Sequence, residues 1–87
     1  MAILVRTIVT GLDTATYDQI SSKLEPEVKK QPGFILHVAF PTDKGMAVSE
    51  LWESRDQYDK WFNENVKPNV QGEMSSEFID VHHIVKP

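Results

Sequence analysis

Four stretches of the chain carry the β-branched and aromatic residues that are typical of strands. They cover residues 2–10, 33–40, 46–53 and 77–86. Apolar residues occupy both alternating sets of positions in residues 2–10, which predicts a strand buried on much of both faces. The segment from Pro41 to Gly45 contains turn formers, so the second and third strands are predicted to form a hairpin.

An apolar stripe between the first two strands predicts a helix. Asp13 is the expected N-cap, and Leu12 and Tyr17 occupy the positions of a hydrophobic staple. The stripe recurs at three- and four-residue steps, at Tyr17, Ile20, Leu24 and Val28. Because proline cannot donate the helical hydrogen bond, Pro26 is expected to kink this helix or to end its regular part near Leu24.

A second helix is predicted after the third strand. Ser54 and Gln57 form an S-x-x-Q capping box at its start. Its apolar positions are Tyr58, Trp61, Phe62 and Val66. We expect it to end before Pro68, and the polar residues 69–76 that follow show no clear pattern.

The element order is strand, helix, strand, strand, helix, strand, which predicts an α+β, ferredoxin-like βαββαβ domain. In that arrangement a four-stranded antiparallel sheet carries both helices on one face. The length predicts one domain over residues 1–87, and a domain of this size has a thin core. The other sheet face also carries apolar residues and must be covered, so we predict a homodimer that closes a dimeric α/β barrel.

Composition narrows the function classes. The net charge of −4 and the absence of a basic stripe argue against a nucleic-acid partner. The chain has no cysteine, which excludes disulfides, thiolate catalysis and zinc ribbons and favours the cytoplasm. No apolar run is long enough for a signal peptide or a membrane helix, so no membrane partner is expected. No nucleotide, phosphate or metal motif occurs, and we predict no cofactor.

Several local features together resemble one protein family. They are Pro32-Gly33 at the second strand, Trp52-Glu53-Ser54 after the third, Trp61, and the GLDTATYD start of the first helix. The chain is similar, except in residues 69–76, to the antibiotic-biosynthesis-monooxygenase-like (ABM-like) branch of the dimeric α/β barrel superfamily, especially its small uncharacterised bacterial members. The resemblance implies the fold. It leaves the activity open, because the superfamily holds monooxygenases, haem-degrading enzymes, decarboxylases, isomerases and proteins of no known activity.

The haem-degrading subgroup is compared residue by residue. Its members use an Asn on the first strand, a Trp on the second helix and a His ten residues after that Trp. Trp61 matches the Trp position, but Thr7 and Gln71 stand at the other two. Since the iron ligand is missing, haem degradation is not expected.

The histidines are the candidate bases, since histidine ordinarily changes charge between pH 5 and 8. His37 lies in an apolar strand and must find either a polar partner or a cavity, so it is a packed histidine or a pocket histidine. His82 and His83 are adjacent on the predicted last strand and should face opposite sides, with one of them exposed. The resemblance favours His37 and His82 as the catalytic pair.

Four further side chains are candidates for binding a substrate. Trp52 and Trp61 are either core residues or flat walls for an aromatic ligand. Tyr17 is explained by its staple with Leu12, although its hydroxyl can point into the same cleft. An exposed edge position explains Glu50 most simply, and the alternative is a buried carboxylate beside His37 or His82.

The leading hypothesis is a small-molecule-binding protein that acts as a cofactor-independent monooxygenase on an aromatic or polyketide-like substrate. In such a reaction a base deprotonates the substrate, and the resulting anion reduces dioxygen itself. Two alternatives stay open. One is a non-catalytic ligand-binding or stress-related dimer, and the other is an isomerase or decarboxylase that uses the same pocket. The surroundings of His37, His82 and Glu50 discriminate between them.

Overall fold

The computed structural model describes all 87 residues. The strands and helices are β1 (Ile3–Thr10), α1 (Thr14–Val28), β2 (Phe34–Pro41), β3 (Gly45–Trp52), α2 (Arg55–Trp61) and β4 (Met74–Asp80). A π-helical turn, Phe62–Val66, continues α2 without a break. This is the predicted ferredoxin-like βαββαβ order.

The four strands form one antiparallel sheet in the order β2-β3-β1-β4, so β1 and β3 are central. The register places one row of side chains across the whole sheet. Glu50 is paired with His37 on one side and with Val5 on the other, and Val5 is paired with Phe78. Because paired residues lie on the same face, His37 and Glu50 share the face on which Val5 is buried.

The core lies between that face and the helices. It is a cluster of six buried residues: Ile3, Val5, Val28, Trp52, Tyr58 and Trp61. Trp52 is at its centre, 0% exposed, with its ring centroid 5.9 Å from that of Tyr58 and 6.5 Å from that of Trp61. The aromatic residues of α2 therefore pack on the end of β3.

Helix α1 begins as the sequence predicts. Asp13 Oδ1 accepts a hydrogen bond from the backbone N–H of Thr16 at 2.7 Å, and this bond holds the pKa of Asp13 below its ordinary value. Of the two alternatives for Pro26, a kink or an end near Leu24, the end near Leu24 is wrong, because the helix continues through Pro26 to Val28. Pro26 cannot donate to the carbonyl of Ser22. Both residues are exposed, so water can satisfy that carbonyl and the helix completes its last turn.

Helix α2 also has the predicted cap. Ser54 Oγ accepts from the backbone N–H of Gln57 at 3.3 Å, and the Ser54 hydroxyl donates to Gln57 Oε1 at 3.0 Å. The Gln57 side chain lies against the backbone of Gly33, which has a φ of +86°. Side chains of L-residues rarely adopt this φ, so glycine is favoured where the chain enters β2, and a Cβ atom there would also displace the end of the Gln57 side chain.

The last strand differs from the prediction of residues 77–86, because β4 is Met74–Asp80. Asp80 is paired with Ile3, the first residue of β1. The ladder ends at that pair, apart from one further bond from the N–H of Val81 to the carbonyl of Ala2 at 2.9 Å. The alternating residues after Asp80 have no strand to pair with, which is why the strand stops there.

The sheet face opposite the helices, here called the outer face, is apolar and exposed. Its side chains include Leu36, Val38, Phe40 and Ile79, with exposed fractions of 49%, 47%, 42% and 40%. Nothing within the chain covers them. The homodimer predicted to cover this face stays a prediction.

Neither helix of the protein has the length and apolar character that crossing a membrane requires.

Candidate functional site

A cavity of about 440 Å³ lies between the helices and the sheet, and most of the residues that line it are apolar. All four strands and both helices contribute to its walls. Small-molecule sites typically have volumes of roughly 300–1,000 Å³ and mostly apolar walls with a few polar groups. The cavity therefore has the size and character of a ligand site.

A chain of three polar side chains forms one part of the wall. His37 Nδ1 lies 2.6 Å from Glu50 Oε2, and His37 Nε2 lies 2.7 Å from the Tyr17 hydroxyl oxygen. His37 comes from β2, Glu50 from β3 and Tyr17 from α1. All three line the cavity. We call them the Tyr17–His37–Glu50 triad.

Glu50 is 8% exposed, and its second carboxylate oxygen is bonded as well. Trp52 donates its indole N–H to Glu50 Oε1 at 2.9 Å. The interpretation of Glu50 as an exposed edge residue is wrong, because β3 is a central strand and Glu50 faces the helices. The alternative interpretation, a buried carboxylate beside His37, describes the structure.

These contacts determine which ring nitrogen of His37 carries the proton. A carboxylate can only accept hydrogen bonds, so the His37 Nδ1–H donates to Glu50 Oε2. In the neutral ring Nε2 then has a free lone pair, and the Tyr17 O–H donates to it. His37 can therefore take up a proton at Nε2, and the adjacent carboxylate stabilises the imidazolium that forms.

Tyr17 is held where its staple position on α1 predicts. Burial raises the pKa of its phenol, and the negative charge of Glu50 acts in the same direction. The planes of the Tyr17 and His37 rings are nearly parallel, at an interplanar angle of 16°, and the ring centroids are 6.3 Å apart. Tyr17 is therefore a neutral hydrogen-bond donor at physiological pH.

The two tryptophans have different positions. Trp61 lines the cavity and is 3% exposed, so it forms both core and wall. Trp52 does not line the cavity. Of the two interpretations of Trp52, the structure shows the core residue and not the ligand wall, and its buried indole donates a hydrogen bond to Glu50.

Tyr58 is a cavity residue that the sequence analysis counted only as part of a helix stripe. It is 5% exposed, and burial together with the Glu50 charge raises its pKa to about 12, while the Thr7 hydroxyl acts in the opposite direction. Thr7 Oγ1 is itself 2.8 Å from Ser76 Oγ. The helix phase of Tyr58 predicts that it points inward, but Glu50 and Thr7, which act on its pKa, come from β3 and β1 and are not predictable from spacing.

His82 is exposed, follows the end of β4 and does not line the cavity. The structure thus brings His37, Glu50, Tyr17 and Trp61 together at one cavity and leaves His82 outside it. No group of three or more histidine and carboxylate side chains is arranged to hold a metal ion.

Comparison with known proteins finds similar structures but no similar sequence family. No protein-family model matches the sequence, and no curated protein does. Among solved structures, SnoaB from Streptomyces nogalater, a cofactor-independent oxygenase, has a TM-score of 0.69 at 12% identity, over 99% of this chain and 97% of that one. A putative antibiotic biosynthesis monooxygenase from Caulobacter crescentus has a TM-score of 0.65 at 18% identity, over 94% and 90%.

A third match is a monooxygenase from the ActVA-Orf6 gene of Streptomyces coelicolor, solved in complex with nanaomycin D. Its TM-score is 0.57 at 18% identity, over 99% of this chain and 91% of that one. At such low identities a likeness shows the fold and not the activity. The chain therefore has the ferredoxin-like fold of antibiotic biosynthesis monooxygenases, as the sequence resemblance implies.

Proposed function

We propose that the protein binds a small aromatic or polyketide-like molecule in this cavity and oxygenates it without a cofactor, with His37 as the base. The observation that carries the proposal is the Tyr17–His37–Glu50 triad at the wall of a mostly apolar cavity. A base held in one tautomer beside an apolar chamber supplies the two things this chemistry needs from a protein.

The first step is proton transfer. The acidic C–H or O–H of the substrate replaces the Tyr17 hydroxyl at His37 Nε2 and gives its proton to that nitrogen. Tyr17 stays neutral because its pKa is raised, so its O–H donates to the oxygen on which the negative charge develops. His37 becomes an imidazolium bonded to Glu50, and the substrate becomes an electron-rich anion.

The second step is oxidation by dioxygen. The substrate anion transfers one electron to dioxygen, and the carbon radical and superoxide combine to form a peroxide, which takes back the proton from His37. For an anthrone, loss of water from the hydroperoxide then gives the quinone. The sum is one CH₂ group plus O₂ giving one C=O group plus H₂O, so atoms and electrons balance with dioxygen as the only co-reactant.

Two structural relatives support this class of reaction. SnoaB is a cofactor-independent oxygenase, and the ActVA-Orf6 monooxygenase was solved with nanaomycin D. Both share the fold of this chain over nearly its whole length. The activity of these relatives supports the proposal, but the main evidence is the Tyr17–His37–Glu50 triad of this protein.

We also propose that the active form is a homodimer in which a second copy covers the outer face. Leu36, Val38 and Phe40 alternate along β2, and each leaves more than two-fifths of its surface exposed. Apolar surface of this extent on one sheet face is typical of an interface. A second copy offers the matching face under two-fold symmetry.

Oxygen uptake tests the proposed reaction. The wild-type protein and His37→Ala are supplied with a panel of anthrones and hydroquinones in an oxygen electrode. We expect uptake with at least one substrate and a loss of about 10²–10⁴-fold in His37→Ala, the range for removal of a general base. His83→Ala is the matched control, because His83 is exposed and lies outside the cavity.

Two results would count against the proposed function. Uptake that is unchanged in His37→Ala removes the proposed base. Tight binding of the panel with no uptake by the wild type favours the non-catalytic ligand-binding protein.

A further inference from the structure

The charges in the cavity wall restrict which molecules it can take. Only three lining residues carry a formal charge with His37 neutral: Glu25, Lys29 and Glu50. Lys29 Nζ lies 3.5 Å from Glu25 Oε2, and the two side chains are 68% and 62% exposed. The single cation of the wall therefore lies in solvent at the cavity edge, next to a carboxylate that balances its charge. The wall therefore has a net charge of −1, and that charge is the nearly buried Glu50 carboxylate.

Glu50 itself is not available to an incoming cation. Its two oxygens are bonded to His37 Nδ1 and Trp52 Nε1, and its side chain is 10% exposed. A ligand ammonium group would lie near this charge without reaching an oxygen, and it would lose its hydration among apolar walls. The cavity thus has no direct partner for a cation.

An anionic ligand is at a greater disadvantage. Its charge would enter a low-dielectric chamber that has no unpaired cation and already holds the negative charge of Glu50 in its wall. Deprotonation at His37 would then place a second negative charge on the same molecule. We infer that the site selects uncharged planar molecules, whose first charge appears only when His37 removes the proton, and that it rejects analogues bearing a carboxylate.

This inference rests on the proposed function, but binding tests it without catalysis. Three unreactive probes share one ring system: 2-(hydroxymethyl)anthraquinone, anthraquinone-2-carboxylate and 2-(aminomethyl)anthraquinone. Quenching of tryptophan fluorescence reports their affinity, since Trp61 lies in the cavity wall. We expect the uncharged probe to bind at least about tenfold more tightly than either charged probe.

A matched pair of variants tests whether the charges of the wall are the cause. Glu25→Gln leaves Lys29 unpaired at the cavity, so binding of the carboxylate probe should rise by about twofold to fivefold, as expected for a partly exposed charge. Because Glu25 lines the cavity, the readout is the ratio of the affinities for the uncharged and carboxylate probes, which should move toward the carboxylate probe. Glu27→Gln removes the same charge from α1 at a residue that pairs with Lys30 and does not line the cavity, and it should change neither affinity.

A second pair tests whether the probes occupy the cavity. Val48→Phe adds volume to the cavity wall and should weaken the uncharged probe, whereas Val85→Phe alters an exposed residue of the C-terminal segment and should not. Circular dichroism and a melting curve confirm that each variant is folded.

The outcomes separate the inference from the proposed function. Equal affinities for the uncharged and carboxylate probes, or tighter binding of the amine, overturn the charge selection and leave the proposed function standing. If neither the wild type nor Val48→Phe binds any of the three probes, both the charge selection and the proposed function are overturned.

Discussion

At the scale of the residue, the site depends on a carboxylate that the fold buries and then satisfies completely. Glu50 receives one hydrogen bond from His37 and one from Trp52. A carboxylate that is 8% exposed is stable only with such partners. The indole of Trp52 thus links the hydrophobic core to the chemistry of the cavity.

Trp52→Phe tests this link. It removes the N–H donor to Glu50 and leaves a buried carboxylate oxygen without its partner, which costs about 1.5–3 kcal/mol beyond the loss of ring volume. Trp61→Phe makes the same change of shape at a neighbouring residue that is not bonded to Glu50. Urea denaturation should show the larger loss for Trp52→Phe. Equal losses would mean that the indole–carboxylate bond contributes nothing to the free energy of unfolding.

Alkaline pH should destabilise the protein through Tyr58. Its pKa is about 12 in the folded protein and near 10.0 in the unfolded chain. The folded state therefore holds a proton that the unfolded state releases, so stability is complete below pH 10 and falls as the pH rises toward 12. Urea midpoints measured across this interval should fall less steeply in Tyr58→Phe. A slope identical to that of the wild type would contradict the assignment to Tyr58.

At the scale of the element, two capped helices hold the site against the sheet. Helix α1 carries Tyr17 and α2 carries Tyr58 and Trp61, and each helix begins at a side-chain cap. The start of α2 matters most for the core, because its cap lies only four residues before Tyr58. The cap of α2 should therefore contribute measurably to stability.

Ser54→Ala removes the acceptor for the Gln57 N–H and should lower the free energy of unfolding by about 1 kcal/mol. Ser22→Ala is the matched control, since Ser22 is an exposed residue within α1 whose hydroxyl donates only to the carbonyl of Gln19. Chemical denaturation of both variants provides the comparison. A loss that is the same in both would show that the α2 cap is not needed.

The elements were predictable where local chemistry determines them. Asp13 and Ser54 set the helix starts, and Pro41 to Gly45 set the hairpin. The end of β4 was not predictable, because it depends on where β1 begins and on the register of Ile3 with Asp80. The continuation of α1 through Pro26 depends on the exposure of Ser22, which the sequence pattern does not report.

The site was predictable only in part, for a related reason. The polar residues His37 and Glu50 were noticeable because they interrupt apolar strands. His37 and Glu50 lie side by side because they are paired directly across β2 and β3. The register of that pairing is not visible in the local sequence around either residue. His82 was favoured by the family resemblance, but β4 ends before it and the structure leaves that residue exposed.

At the scale of the whole molecule, the apolar outer face is the feature that the single chain does not explain. A chain of this size has a thin core. The exposed apolar residues of β2 lie at one edge of the sheet and Ile79 lies on β4 at the other edge, with the central strands β3 and β1 between them. Covering that face would add buried apolar surface on the side of the sheet away from the helices. The homodimer is therefore a prediction about stability as well as assembly.

Val38→Asp places a charge in the middle of the outer face and should convert the protein to a monomer of 9.9 kDa, whereas the wild type should have twice that mass. Val85→Asp introduces the same charge in the C-terminal segment, at a residue that is 80% exposed, and should keep the dimer. Light scattering coupled to gel filtration measures each mass. A monomeric wild type would contradict the proposed barrel.

The central claim is that His37 takes a proton from an aromatic substrate inside the cavity. Anaerobic mixing with an anthrone tests it most directly, because the bound anion has its own absorption band and cannot be consumed without oxygen. We predict that the band forms with the wild type and with His83→Ala and is absent with His37→Ala, and that it decays when oxygen is admitted. A band of equal strength with His37→Ala, or oxygen uptake by the wild type with no anion formed, would contradict the account.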